Sequence, residues 1–168
     1  MTPMFQPMLL EIQQEAATTR RVLERVPESK LEWRPHKKSM TLGQLAIHIA
    51  TVPGAIAKLS QADEFDTAQG NFTPPQPKSL GEIMAAHDES VRTAEDCVKN
   101  LTEQKAMAMW KLKAGQRELL SMPRVGLLRS IMMNHLYHHR GQLSVYLRLL
   151  DVPLPSIYGP TADENPFA

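Results

Sequence analysis

Six histidines are spread unevenly along the chain. Imidazole is the side chain suited both to proton transfer near neutral pH and to holding divalent metals. His135 and His139 are spaced i and i+4. On a helix of about 100° per residue they fall about 40° apart, on one face and one turn from each other. Two imidazoles so placed can meet one ion at about 2.0–2.1 Å. His48, in a separate segment beside the inward positions Leu45, Ile49 and Val52, offers a third ring. Three protein ligands leave a coordination position open, the arrangement of catalytic rather than structural zinc sites. A different assignment competes with this one, because a lone inward histidine is more often a hydrogen-bonded core residue. Burying two imidazoles without partners costs several kcal/mol, which makes the pair harder to place that way. Spacing alone leaves both assignments open.

The remaining candidates are weaker. His138 lies about 100° round from His139, at the flank, where it suits a supporting or partner-facing role. His87 points inward on its own helix among Leu80, Met84, Val91 and Val98. If that helix runs parallel to the one bearing His48, the two rings sit at similar height. His87 is then a candidate fourth ligand or an acid–base group beside the metal. His36 lies in a polar connection and is expected to be solvated. Cys97, the single cysteine, excludes an internal disulfide and a Cys-based zinc site within one chain. On a helix it reads as a small buried apolar residue rather than a nucleophile. Two familiar metal patterns are missing. There is no Glu-x-x-His of the diiron bundles. Leu136 follows His135, so no His-Glu-x-x-His supplies a built-in base.

Four helical segments would position these residues, and no strand pairing is expected, since β-branched alternation and an Asn-Gly hairpin signal are both missing. The first helix spans roughly residues 7–26, with Leu9, Ile12, Ala16, Leu23 and Val26 at helical spacing and Pro27 as its stop. The second opens at a capping box, Thr41 with Gln44, and runs to about Ser60, with a bend expected at Pro53. Residues 61–78 form a long polar connection, so the helices it joins need not be antiparallel. Ser79 and Glu82 cap a third helix that ends near Leu101. Residues 102–122 are ambiguous, a loop with a short irregular element. Ser121 and Pro123 then signal a fourth helix to about Leu150. On a regular wheel, Leu128, Met132, Leu143, Tyr146 and Leu150 form its apolar stripe. His135 and His139 fall inside the stripe and Tyr137 points away from it. The tail carries four prolines and no expected regular structure.

With 168 residues the chain fits one domain over residues 1–168, large enough to fold without disulfides. A net charge of +1 with 22% charged residues lacks the basic footprint of a nucleic-acid binder. The start, Met1 to Glu11, does not read as a signal peptide. The most apolar stretch, residues 42–59, is interrupted by Gln44, His48, Pro53 and Lys58, too often for a membrane span. Ten methionines against 5% aromatics read mostly as adaptable core filler. Lone-cysteine usage fits a reducing, cytoplasmic setting.

The run Asn134-His135-Leu136-Tyr137-His138-His139-Arg140-Gly141-Gln142-Leu143 resembles the last-helix motif of the DinB/YfiT-like superfamily. Thr41-Leu42-Gly43-Gln44-Leu45-Ala46-Ile47-His48-Ile49-Ala50 is similar to its second-helix motif, and Trp33-Arg34-Pro35 and the closing segment through Gly159-Pro160 fit the same pattern. The resemblance covers nearly the whole chain. It implies an all-α, up-down-down-up four-helix bundle, usually a homodimer, with a divalent metal on His48, His135 and His139. Nickel and zinc are the foremost occupants and iron and manganese are compatible, since neutral imidazoles do not choose sharply among them. The superfamily includes S-transferases that use low-molecular-weight thiols such as bacillithiol or mycothiol, and a thiol-dependent maleylpyruvate isomerase. The expected function is therefore a metal-dependent enzyme, most simply a thiol S-transferase acting on a small molecule. A non-catalytic metal- or ligand-binding dimer and a metal-dependent hydrolase are the alternatives.

Overall fold

The computed structural model describes residues 5–168. Met1 to Met4, part of the segment read for a signal peptide and of the domain span, lie outside the described residues. The chain is mostly helical, with a small three-stranded sheet set against the helices. Helix α1 spans Gln6–Leu23 and α2 Leu42–Leu59, and strand β1 is Glu64–Asp66. Then follow α3 (Leu80–Lys99), the short α4 (Glu103–Met107), and the hairpin strands β2 (Met109–Ala114) and β3 (Arg117–Pro123). The last helical run has three pieces: α5 (Arg124–Gly126), a π-helical segment Leu127–Met133, and α6 (Asn134–Leu149). Gly126 and Met133 at the joints both keep right-handed helical backbone angles, so the run is continuous.

Local chemistry accounts for these boundaries. At the start of α2 both bonds of the capping box form: Thr41 Oγ1 accepts from Gln44 N at 3.0 Å, and Gln44 Oε1 accepts from Thr41 N at 3.0 Å. At α3 the Ser79 hydroxyl accepts from Glu82 N at 3.1 Å, but the Glu82 carboxylate reaches back to Lys78 N instead of completing the box. Helix α2 runs through Pro53 without a break. Next to it Gly54 lets α3 approach closely. A Cβ on Gly54 would lie 2.8 Å from Ser90 Cα, and Gly54 N donates to Ser90 Oγ at 2.7 Å. Gly43 near the start of α2 faces Pro77, just before α3, while Gly54 further along faces Ser90, so the two helices run in the same direction.

Two apolar clusters make the core. One joins Val22, Leu45, Ile49, Ile83, Leu136 and Leu143; the other joins Phe5, Ile12, Ala57, Val98, Leu128 and Met132. Each fully buried aliphatic side chain contributes roughly 1.5–3 kcal/mol, so these layers outweigh the weak intrinsic helicity of any one segment. By length and composition α2 could cross a membrane, but 61% of it is buried inside this protein, and its apolar faces cover α3 and the last helical run.

The sheet overturns the expectation of no strand pairing. β2 pairs antiparallel with β3 from Met109↔Pro123 to Ala114↔Arg117, and β1 adds in parallel along β2. The two-residue loop Gly115-Gln116 turns the hairpin, with Gly115 at φ 59°, a left-handed conformation that favours glycine. Trp110 is buried while Lys111 points outward, the period-2 pattern of a half-covered strand. Ser121, expected to help start the last helix, is a β3 residue paired with Lys111, and Pro123 alone borders the helix.

The π-helical segment corrects the wheel drawn for the last helix. Widening to i→i+5 bonding rotates everything after it relative to a regular α-helix. The buried line continues through Leu136, Arg140, Leu143 and Leu147, not through Tyr146 and Leu150. His135 and His139 therefore stand at the edge of the buried stripe, half-buried, instead of at its centre. Tyr137 is likewise no free surface residue. Its hydroxyl donates to Glu11 Oε1 at 2.7 Å and it packs against both core clusters.

Candidate metal centre

His48 projects from α2 two turns beyond its capped start, and His135 and His139 project from α6. Their donor nitrogens all lie within 4.8 Å of one another. The ring centroids are 5.1 Å apart for His48–His135, 4.6 Å for His48–His139 and 4.5 Å for His135–His139. His48 Nε2 and His135 Nε2 approach to 3.0 Å. Tetrahedral ligands at about 2.0–2.1 Å from one ion sit about 3.3 Å apart, so the pair is already near ligand spacing. His139 Nδ1 donates to Gln142 Oε1 at 2.7 Å, which fixes that ring and leaves its Nε2 lone pair to face the other two. The donor set thus fits a divalent ion: three convergent imidazoles, one of them oriented from behind, and no thiolate or carboxylate in the group.

Burial, reinforced by the neighbouring rings of His139 and His135, pushes His48 down from 6.5 to about 4. Burial also lowers His135 and His139, with His138 adding to both. All three rings therefore favour the neutral form that binds metal.

The other sequence candidates are not brought to this point. His87 is 4% exposed inside the core, where it faces Ile12 and Ala16 of α1 and shares a small void with Pro53, Met133 and Leu136. Pro53 lies about 140° round α2 from His48. The parallel course of α2 and α3 holds, but azimuth separates the two rings, and His87 is neither a fourth ligand nor an acid–base group beside the trio. His138 is exposed, with its ring 4.9 Å from that of His139. His36 is exposed and its Nδ1 accepts from Lys38 N. Cys97 packs half-buried against the second core cluster, and burial pushes its thiol up, which suits packing and not nucleophilic attack.

Two buried arginines, not singled out in the sequence, hold the site's walls. Arg140, 1% exposed, donates to Thr19 Oγ1 at 3.0 Å and Glu15 Oε2 at 2.6 Å on α1, and to the Tyr158 hydroxyl of the tail. It follows His139 directly, so its anchorage sets the rotation of α6 and hence the aim of the histidines. Arg124, 2% exposed, donates to the carbonyls of Ser60, Ala62, Ala108 and Met109 and pairs with Asp63. It joins the end of α2 to the sheet.

Between α2, the π-helical segment and the sheet lies a cavity of about 520 Å³. His48 and His135 form part of its wall. Val52, Ile56 and Leu59 line it from α2, Leu127 and Ile131 from the π segment, and Trp110, Leu112 and Leu120 from the hairpin. The connection from Phe65 to Pro75 completes it. A sequence reading without the hairpin has no means of finding this space.

The architecture is that of the DinB-like fold. A crystal structure of a DinB-like protein from Bacillus cereus ATCC 10987 superposes with a TM-score of 0.70 at 22% identity, over 89% of this chain and 95% of that one. DinB-like YjoA from Bacillus subtilis gives 0.67 at 18%, over 95% and 99%. A DinB-family structure from Exiguobacterium sibiricum 255-15 gives 0.65 at 22%, over 93% and 97%. The DinB family model matches residues 1–165, and the chain belongs to the DinB family. Among curated proteins, the uncharacterized YrdA of Bacillus subtilis (strain 168) is 26% identical over 150 residues, 89% of this chain and 85% of that protein.

Proposed function

We propose that this DinB-family protein is a divalent-metal-dependent enzyme, with His48, His135 and His139 as ligands and a thiol S-transfer to a small electrophile as its reaction. The observation that carries this is the convergence of three mutually close imidazoles, two of which, His48 and His135, stand on the wall of a cavity. Nickel or zinc is the proposed occupant, and the imidazole donors are compatible with other divalent transition metals as well. A divalent metal held by these three imidazoles would supply Lewis acidity, favouring the thiolate of a thiol or the hydroxide of water. The protein's own contributions are positional. The Thr41–Gln44 cap and the Gly54–Ser90 contact fix α2 beneath His48. Gln142 orients His139, and Arg140 fixes the rotation of α6. The apolar walls keep water away from His48 and His135 and orient a carbon skeleton against them.

The supporting frame is read as an up-down-down-up bundle of four long helices forming one domain, in keeping with the parallel course of α2 and α3. A homodimer is proposed with it, and Val145 and Leu149, each 58% exposed on the outer face of α6, supply apolar surface for such a contact. A cytoplasmic location agrees with the lone unpaired Cys97.

One observation favours a second reading, a metal-bearing binder without turnover. Among the described residues no Asp, Glu, Lys or Arg lines the cavity, so none of these side chains stands there as a proton acceptor. Elemental analysis of the purified protein, followed by assay of epoxide and alkyl-halide electrophiles with added low-molecular-weight thiols, separates the two. Metal-dependent turnover that His135→Ala abolishes supports the enzyme. Stoichiometric metal with no reaction across thiols supports the binder. Protein that retains and takes up no divalent metal refutes both.

A further inference from the structure

The cavity beside the histidines carries information about what it takes. Among the described residues, its wall contains no carboxylate, ammonium or guanidinium. Its ionisable groups are His48 and His135. Several of its polar atoms already have partners: the Thr51 hydroxyl donates to Ile47 O at 2.9 Å, Trp110 Nε1 donates to Leu59 O at 3.1 Å, and Asn71 Oδ1 accepts from Thr73 N at 3.0 Å. A charged group moved into such a space loses its hydration with no ion partner in return. The volume, about 520 Å³, lies within the range of sites that enclose drug-sized molecules. Part of the lining is aromatic, with Phe65 meeting the largely exposed Phe72 edge to face at 6.3 Å. Gly70 makes that meeting possible, since a Cβ there would lie 2.7 Å from Phe72 Cζ.

We infer that this cavity binds the skeleton of a neutral, mainly apolar, aromatic-sized small molecule with one end against His48 and His135. The inference rests on the proposed function in taking the histidines as the reactive end, and it deepens that reading by assigning the class of co-substrate. A low-molecular-weight thiol bearing carboxylates does not belong inside this space. It is the neutral electrophile that occupies it, and the thiol approaches from the outer side of the trio.

The test uses the full-length protein, stripped by a chelator so that no carboxylate is held by metal. Methyl 1-naphthylacetate and 1-naphthylacetate share a ring system and differ in charge. Their binding is followed by quenching of tryptophan emission, Trp110 being in the wall. The ester is expected to bind one per chain and at least tenfold more tightly than the carboxylate. Ala55→Trp, at an exposed position lining the cavity, is expected to weaken the ester at least tenfold while leaving zinc uptake unchanged. Equal binding of ester and carboxylate, or ester binding that Ala55→Trp leaves intact, overturns the inference. Zinc uptake measured on the same preparation tests the metal reading separately. Zinc without ester binding refutes the cavity assignment alone, and ester binding without zinc refutes the metal site alone.

Discussion

At the scale of single residues, the centre depends on imidazoles that stay neutral while partly buried. The sign of the pH response follows from that. In the unfolded chain His48 protonates near 6.5, whereas in the fold it resists protonation until about 4. The unfolded state therefore takes up protons first as pH falls. The stability present above about 6.5 is lost progressively toward about 4. Burial lowers His87 as well, so the core ring acts in the same direction. The metal-free protein should show a melting temperature that drops across this window, with a shallower drop in His48→Gln. A flat profile in the wild type would contradict the depressed values. Metal uptake should persist at pH 6, where ordinary exposed histidines are mostly protonated, and fail as pH approaches 4. Uptake can be read by equilibrium dialysis against zinc. A single His48→Ala or His135→Ala change should lower affinity by at least tenfold, because two imidazoles remain of three.

At the scale of elements, the arginine anchors are where the site is most vulnerable. Replacing Arg124 by Met keeps the bulk but takes the side-chain donor from the carbonyls of buried Ser60 and of Ala62 and Met109, while the Ala108 carbonyl keeps the backbone N–H of residue 124. Each unsatisfied group costs about 1–3 kcal/mol, softened where water can enter, so a total loss of about 3–5 kcal/mol is expected in urea unfolding. The hairpin should loosen first, seen as early amide exchange in residues 109–123. A loss under about 1 kcal/mol would mean that Arg124 does not hold the sheet. Valine at Gly54 meets the Ser90 backbone and should cost about 1–3 kcal/mol by overpacking. Much of this layer was legible in the sequence. Thr41–Gln44 and Ser79–Glu82 marked two helix starts because side-chain capping is a local interaction, visible in four consecutive residues. The i, i+4 spacing of His135 and His139 survived for the same reason. What depended on phase did not survive. A π-helical stretch has no clear residue signature here, and its extra residue rotated Tyr137 inward and shifted the histidines to the stripe's edge. The hairpin escaped notice because Lys111, Lys113 and Glu118 dilute its alternation and its turn is Gly115-Gln116 rather than Asn-Gly. His87 pairs with its neighbour Asp88 at 3.4 Å, but the residues that bury it lie on α1, α2 and the last helical run, far away in sequence, and no spacing rule reports them.

At the scale of the whole molecule, the histidines face one another across the packed contact between α2 and α6. His48 belongs to α2, which packs on α3, while His135 and His139 belong to α6, anchored by Arg140 to α1 and the tail. An ion held by all three cross-links the two halves of the core, and it binds only the folded chain, because the unfolded one separates residue 48 from the pair. Mass action then predicts the size of the effect. A free metal concentration of 100 times the dissociation constant adds about 2.7 kcal/mol of stability. For a chain of this length each kcal/mol raises the melting temperature by about 2–4 °C, so zinc or nickel should raise it by about 5–10 °C. The shift should grow with the logarithm of metal concentration and fall to about half or less in His135→Ala at the same metal concentration, whereas magnesium, which prefers oxygen donors, should give none. A rise of the same size in His135→Ala would place the stabilising ion elsewhere on the protein. No rise with any of these transition metals, under conditions where the metal-free protein unfolds reversibly, would leave the three imidazoles as a core contact and nothing more.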